Sequence, residues 1–475
     1  MKLTRIDENR LLLEKEGEMK VDALIYVNEN IRLEEESLIQ LRNATLIPPV
    51  EKVLATPDIH TGFGVPIGSV IGLKDHIVPS AVGYDVNCGM RLLTTPLTRD
   101  TIDLETIAHS IHRDIPLGEG KKNIHLSIDS LKIVLERGVK GLKEVIKETS
   151  LSKHYIESEY EEDIERIEDY GSMEGRAEAI STRAAERGKD QLATLGGGNH
   201  FIEIQVVERI GNPELAKIFG LFLGQIVLMI HSGSRGLGHQ IGDDYMPLAA
   251  RLSKEKIPDR SLGFFNVHSN DGKNYIGAMR AAANFAFANR QAMAILIRKN
   301  FRHYYGNIPM PMIYDVPHNI AKLEIYKKEE IWVHRKGATR AFPARLMKGT
   351  PFQNIGQPVL IPGSMGTASY LLVGTETAEE SLFSVNHGAG RMMSRTAAAG
   401  KVKRHSGKVI KEGRITDDRF KTTMKGIHLI CEDPHTIKEE APDAYKDIDE
   451  VIKVVVGAGL AQIIARMVPI AVLKG

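Results

Sequence analysis

Short apolar runs that stop abruptly in glycine-rich polar loops recur along the 475-residue chain, and they constrain its fold more than any other feature. "QIVLMI" (225–230) runs into "HSGSRGLG", "QPVLI" (357–361) into "PGSMG" and "SLFSV" (381–385) into "NHGAGR". Runs this short suit buried strands rather than buried helices, and a rigid sheet presents functional groups on the loops that follow it. The pattern predicts a mixed α/β fold: one large domain of mixed sheets with surrounding helices, its chemistry gathered on glycine-rich loops at one rim. Length alone allows about three ordinary domains. Neither an internal repeat nor a low-complexity linker marks a boundary, so residues 1–475 read as one unit. "GAMRAAANFAFANRQAMAILIRKNF" (277–301), rich in Ala and free of proline, predicts a helix. Its polar guests Asn284, Asn289 and Arg290 are expected on a solvent face. From about 101 to 190 the composition shifts to charged helix formers, as in "ESEYEEDIERIEDY", which predicts a helical subregion with solvated faces.

Lys plus Arg total 62 and Asp plus Glu 61, so any attraction to nucleic acid must come from a local basic patch. Two cysteines cannot form a disulfide framework, and their scarcity fits a reducing compartment. The opening "MKLTRIDENRLLLEKEGEMK" lacks the apolar core of a signal peptide. "LFLGQIVLMI" (221–230) is too short to span a bilayer, and the apolar tail from Val454 to Leu473 carries Gln462 and Arg466. A cytoplasmic location without a membrane partner is the expectation.

"GYDVNCGM" (83–90) puts a thiol in a tight polar turn, with Asp85 three positions ahead and Asn87 beside it. A structural cysteine usually lies in an apolar run, so Cys88 asks for partners elsewhere. Five of the 17 histidines lie at strand-to-loop junctions beside glycine, proline or asparagine: His60, His200, His231, His318 and His387. His109, His112, His125 and His154 fall in the charged helical stretch and are expected at the surface. Imidazole, thiolate and carboxylate together suit Mn, Zn, Fe or Co far better than Mg or Ca. Three or four of the junction histidines with Asp85 and Cys88 would suffice for two ions, the thiolate being a plausible bridge. Two such ions about 4 Å apart form a clamp suited to phosphate chemistry. The chain contains no G-x-x-x-x-G-K-[ST], no K-x-D-G and no H-E-x-x-H. Its glycine loops can instead cradle phosphate with backbone N–H groups. "NHGAGRMMSR" adds His387, whose neutral imidazole can attack phosphorus. Arg391 and Arg395 share a face there if a helix begins at that point.

"PDIHTGFGVPIG", "GYDVNCGMR", "GGGNHFIE", "HSGSRGLG", "DVPHN", "PGSMGTASY", "NHGAGR" and the terminal "VLKG" together resemble the RtcB-type RNA ligases, in order, from about residue 57 to the end. No departure is visible at the metal or nucleophile positions. The resemblance implies the fold of that family and a GTP- and manganese-dependent RNA ligase. Such an enzyme joins RNA 3′-phosphate or 2′,3′-cyclic phosphate ends to 5′-hydroxyl ends, through a guanylylated histidine and an RNA(3′)pp(5′)G intermediate, in tRNA splicing or RNA repair. By the same resemblance Cys88 bridges two Mn²⁺ ions, Asp85 and His200 complete one, and His231 and His318 complete the other. His387 is the residue guanylylated. The GTP pocket is implied to comprise Asn199, His200, Phe201, Ile202, Glu203, His318, Asn319, Pro362, Gly363, Ser364, Met365, Ser369, His387, Gly388, Ala389, Gly390, Tyr445 and Lys474, with Glu203 and Lys474 suited to guanine. RNA (tRNA halves or other broken RNA) is expected near Arg235, Arg391 and Arg395, with "HRKGATR" (334–340) and "KVKRHSGK" (401–408) extending the track. The small activating protein archease is a further partner the family implies. Two rival readings are a non-catalytic RNA-binding scaffold and a dinuclear metallophosphatase that never forms a covalent nucleotide.

Overall fold

The apolar runs pair into two large sheets that meet at one corner. A computed structural model describes residues 1–253, 257, 259–402, 409–434 and 436–475. The first sheet has the order Leu3–Asp7, Arg10–Leu13, Ala23–Tyr26, Val50–His60, Ile67–Leu73, Glu329–Lys336, Asn319–Tyr326. Neighbours are antiparallel except Ala23–Tyr26 beside Val50–His60. The second sheet runs Met312–Pro317, Gly89–Thr98, Gln225–Ser232, Phe201–Ile210, Ala461–Lys474, Ser369–Gly374, Pro358–Ile361, with His428–Cys431 added in parallel beside Ala461–Lys474. This is the mixed α/β architecture expected from the sequence, with "QIVLMI" and "QPVLI" forming strands. "SLFSV" is a strand only from Ser384 to Asn386. Leu382 and Phe383 adopt left-handed backbone (φ 53° and 47°), which turns the chain onto Ala338–Arg340.

The second sheet is covered on both sides, which is why its strands read as nearly unbroken apolar runs. Ile202, Ile204, Ile226, Leu228 and Ile230 point into a core shared with the helices, while Phe201, Val207, Val227 and Met229 point into the opposite one. Residues 101–190 form the expected helices, Leu104–Asp114, Ile128–Val145, Glu157–Ile164 and Thr182–Gly188. They pack into the same core as the sheet. No helix among the described residues is long and apolar enough to cross a membrane.

The helix foreseen over 277–301 spans Asn270–Tyr305, capped by Ser269, whose hydroxyl accepts from the Gly272 N–H. Every residue from 281 to 298 is buried, so the helix threads the core and has no solvent face there. Asn284, Asn289 and Arg290 therefore do not face water as expected; each ties a loop to the helix. Asn284 donates to the Leu135 and Met173 carbonyls and accepts from Met173 N–H. Asn289 binds both backbone groups of Thr194. Arg290 grips Asp315 and donates to the carbonyls of Asn87 (2.8 Å) and Ser232 (2.9 Å).

Candidate active site at the junction of the sheets

Strand register lines the chemistry up in one row. Pro317 pairs Gly89, Gly89 pairs Ser232, His231 pairs Phe201, and Phe201 pairs Lys474. Five neighbouring strand ends thus carry His318, Cys88, His231, His200 and Lys474 along one rim, at about 4.8 Å per strand. His318 also leads directly into Asn319–Tyr326 of the first sheet, so the row continues into that sheet's Lys336 and His60.

The turn that carries Cys88 closes with its N–H on the Asp85 carbonyl (3.1 Å), and Asn87 takes left-handed backbone (φ 57°) that asparagine tolerates well. Sγ of Cys88 lies 3.2 Å from His200 Nε2 and 3.1 Å from His231 Nε2. His231 Nε2 is 3.2 Å from His318 Nε2, and His200 Nε2 is 2.7 Å from Asp85 Oδ2. His200 Nδ1 lies 3.1 Å from the Leu195 carbonyl and 3.2 Å from Arg235 Nη1, which leaves its Nε2 turned toward Cys88 and Asp85. The buried Nδ1 atoms of His231 and His318 have no hydrogen-bond partner among the described residues. Burial, and then neighbouring cationic groups, hold the imidazoles of His231 and His318 well below their usual range, so both are neutral. Thiol, carboxylate and three imidazoles thus converge more acceptor lone pairs than their protons satisfy, the arrangement a divalent transition-metal cation relieves. Cys88, His200 and His231 have ligand atoms all within 4.8 Å of one another. Gly233 is required beside them: a Cβ there would lie 2.2 Å from Asp85 Oδ1.

His387 faces this cluster, its ring centroid 4.9 Å from that of His318. Its Nδ1 is 2.6 Å from Asp58 Oδ2, and Asp58 is fully buried, with Thr56 donating to its other oxygen at 2.6 Å. Burial opposes ionisation of Asp58, but His387, Thr56 and His60 outweigh it and hold the carboxyl below its usual range. Asp58 therefore fixes the His387 tautomer with Nε2 free. Gly390 (φ 77°) lets the loop close over this pair, since a Cβ would strike the Asp58 carbonyl at 2.2 Å. Buried Lys446 anchors the Asp58 strand by donating to the Pro57 and Ile59 carbonyls.

A cleft of about 870 Å³ opens over the row. Of the site residues that the resemblance implied, it is lined by all but Ile202, Glu203 and Ser369. Ile202 points into the helix-side core. Glu203 and Ser369 lie one layer beneath, joined by Gln205 Nε2 at 2.6 and 3.0 Å. Burial pushes the Glu203 carboxyl up to about 8 despite Gln205 and Lys474. His60 lines the cleft but keeps away from the ligand cluster, its Nδ1 on the Asp58 carbonyl. His109, His112, His125 and His154 are all outside the core, as expected.

The arginines converge on an acid that sequence reasoning missed. Glu440 is buried and takes Arg391 Nη1 at 3.1 Å, Arg395 at 3.4 Å, Lys474 at 3.6 Å and the Tyr445 hydroxyl. Arg391 also lies over the Tyr445 ring. The helix begins at Arg395, capped by Ser394, so Arg391 and Arg395 meet through Glu440 rather than on a helical face. Arg235 is buried, with Nη1 3.2 Å from His200 Nδ1. "HRKGATR" is not a solvated track: Arg335 is buried on Glu324 and Arg340 is paired with Asp169, because the segment forms an interior strand and its continuation. Of that run Lys336 and Gly337 line the cleft, and Lys336 donates to the Phe63 and Val65 carbonyls. Of "KVKRHSGK", residues 403–408 lie outside the described residues. Asp58 and Arg290 were missed as well. Asp58 stood in plain view two residues before His60, and Arg290 was visible as a charge in an Ala-rich helix; nothing local marked Glu440.

Comparison with known proteins adds an independent finding. The family model described as tRNA-splicing ligase RtcB matches residues 40–475. A tRNA-splicing ligase RtcB of Nanoarchaeum equitans is 43% identical over 499 aligned positions, covering all of both chains. Those of Thermococcus kodakarensis (39%, covering 100% of this chain and 99% of the relative) and Methanococcus maripaludis (40%, 96% and 95%) are similar over nearly their whole length.

Proposed function

The chain belongs to the RtcB family, and from that premise we propose that it is a GTP-dependent RNA ligase. It joins RNA 3′-phosphate or 2′,3′-cyclic phosphate ends to 5′-hydroxyl ends in tRNA splicing or RNA repair. The observation that carries the reading is His387, tied by Asp58 and facing a convergent cluster of thiol, carboxylate and imidazoles. Asp85, Cys88, His200, His231 and His318 would hold two Mn²⁺ ions with Cys88 shared. Bound divalent ions offset charge on phosphate oxygens.

In the first step His387 Nε2 attacks the α-phosphorus of GTP. An N–P bond forms, the α–β anhydride breaks and pyrophosphate leaves. The proton on Nδ1 stays in the bond to Asp58, whose carboxylate offsets the developing imidazolium charge. A cyclic RNA end is first hydrolysed to the 3′-phosphate. An oxygen of that phosphate then attacks the guanylyl phosphorus, the N–P bond breaks and His387 returns neutral. Last, the RNA 5′-hydroxyl attacks the 3′-phosphorus, gives up its proton to solvent and expels GMP. Lys474, which lines the cleft, would donate to guanine O6, an acceptor that adenine lacks. Arg235, Arg391 and Arg395 would lie along the RNA, and archease would act as an activating partner.

The test is incubation with Mn²⁺ and GTP labelled on the α-phosphate. Acid-labile label on the protein, absent in His387→Ala, supports the ligase. Phosphate release without label would point to a metallophosphatase, and neither outcome to a binding scaffold.

A further inference from the structure

The helical subregion carries a second hollow, of about 580 Å³, that the reaction above does not use. Arg113, Lys153, His154, Lys299, Arg302 and His303 line it, and among the described residues no carboxylate does. Two acids lie just behind: Asp114 takes Lys299 at 2.7 Å and Glu159 takes Arg302 at 2.8 Å. Arg113 and Lys153 are exposed, and neither has a carboxylate partner among the described residues. Arg113 reaches only the Ser110 hydroxyl. Burial, and then Lys299, hold the His154 imidazole below its usual range, with Arg302 and Lys153 acting in the same direction against Asp114. The hollow therefore presents net positive charge from three separate stretches of chain.

It is also close to the catalytic cleft. Arg113 lies in the last turn of the Leu104–Asp114 helix, and six residues later Glu119 lines the cleft, where Gly118 N–H is bonded to the Gly196 carbonyl. Six residues reach at most about 20 Å, a span that a short RNA stem covers. Resting on the ligase reading, we propose that this hollow binds the phosphodiester backbone of the RNA stem behind the broken end. Guanidinium and ammonium groups suit that role because phosphate contacts set register without reading sequence. The subregion then acts as a ruler that seats structured RNA.

The experiment uses the full, manganese-supplied protein, the double variant Arg113→Gln/Lys153→Gln, and two 3′-phosphate RNAs. One carries a stem long enough to reach the hollow; the other is a short single strand that ends within the cleft. For the stem RNA, the slope of log K against log salt should shrink by about 1.8, about 0.9 for each lost phosphate contact. Short-strand affinity and GMP labelling should stay at wild-type levels, and Arg113→Lys/Lys153→Arg should restore the slope. An unchanged slope for stem RNA overturns the inference, as does an equal loss on both RNAs. A wild-type protein that takes no label sinks the ligase reading instead, a pattern distinct from either.

Discussion

Cys88 shows how much one residue depends on its setting. A thiol among glycines, Asp85 and Asn87 is a poor core residue, and its sulfur instead meets two imidazoles within 3.2 Å. Asp58 is the counterpart for His387, the nucleophile of the proposed reaction. In Asp58→Asn the amide no longer stabilises an imidazolium, so the rate of GMP labelling from GTP should fall by at least about 100-fold, while manganese content measured by elemental analysis stays near wild type. Gly233→Ala should give the opposite split. Its new Cβ, 2.2 Å from Asp85 Oδ1, must push that carboxylate away from His200. Manganese content should drop, and labelling with it, even though His387 and Asp58 are untouched.

At the scale of the element, the Asn270–Tyr305 helix decides where the loops go. Arg290 holds Asp315 on one side and the carbonyls of Asn87 and Ser232, neighbours of Cys88 and His231, on the other. Replacing it with Met strips those carbonyls of a donor and leaves Asp315 with Arg91 alone, at 2.8 Å. Breaking a buried pair costs roughly 3–5 kcal/mol. Because Arg91 remains, urea unfolding of Arg290→Met should show a loss near the lower figure, about 3 kcal/mol. An unchanged midpoint would mean that the network contributes nothing net. Read from composition, the helix was easy to find and its polar guests were misplaced. An Ala-rich segment predicts helicity from local propensity, but whether all its faces are buried depends on what packs around it.

At the scale of the whole molecule, buried ionisable groups should make the fold sensitive to acid. His334 is fully buried, and its Nε2 accepts from the Val78 N–H at 3.0 Å. Burial pulls its pKa down to about 4, while the Ile71 and Trp332 carbonyls pull the other way. The unfolded imidazole titrates near about 6.5, so between those values the unfolded chain binds more protons. The stability contributed is therefore whole above about pH 6.5 and lost as pH falls through about 4, on the order of 3 kcal/mol. Thermal midpoints should decline over that window, and His334→Gln, which keeps an acceptor for Val78, should flatten the decline. The apolar runs, the glycine loops after them and the ligand-type side chains at their ends were readable along the chain, because strand length and turn chemistry are local properties. Register was not: His387 and Asp58 are 329 residues apart in sequence, and Cys88 and His231 are 143 apart. Pairing of distant strands alone sets them in one row. Glu440, which gathers two arginines, a lysine and a tyrosine, is invisible until the chain closes, since the field at any ionisable group is the sum over neighbours brought together only by folding.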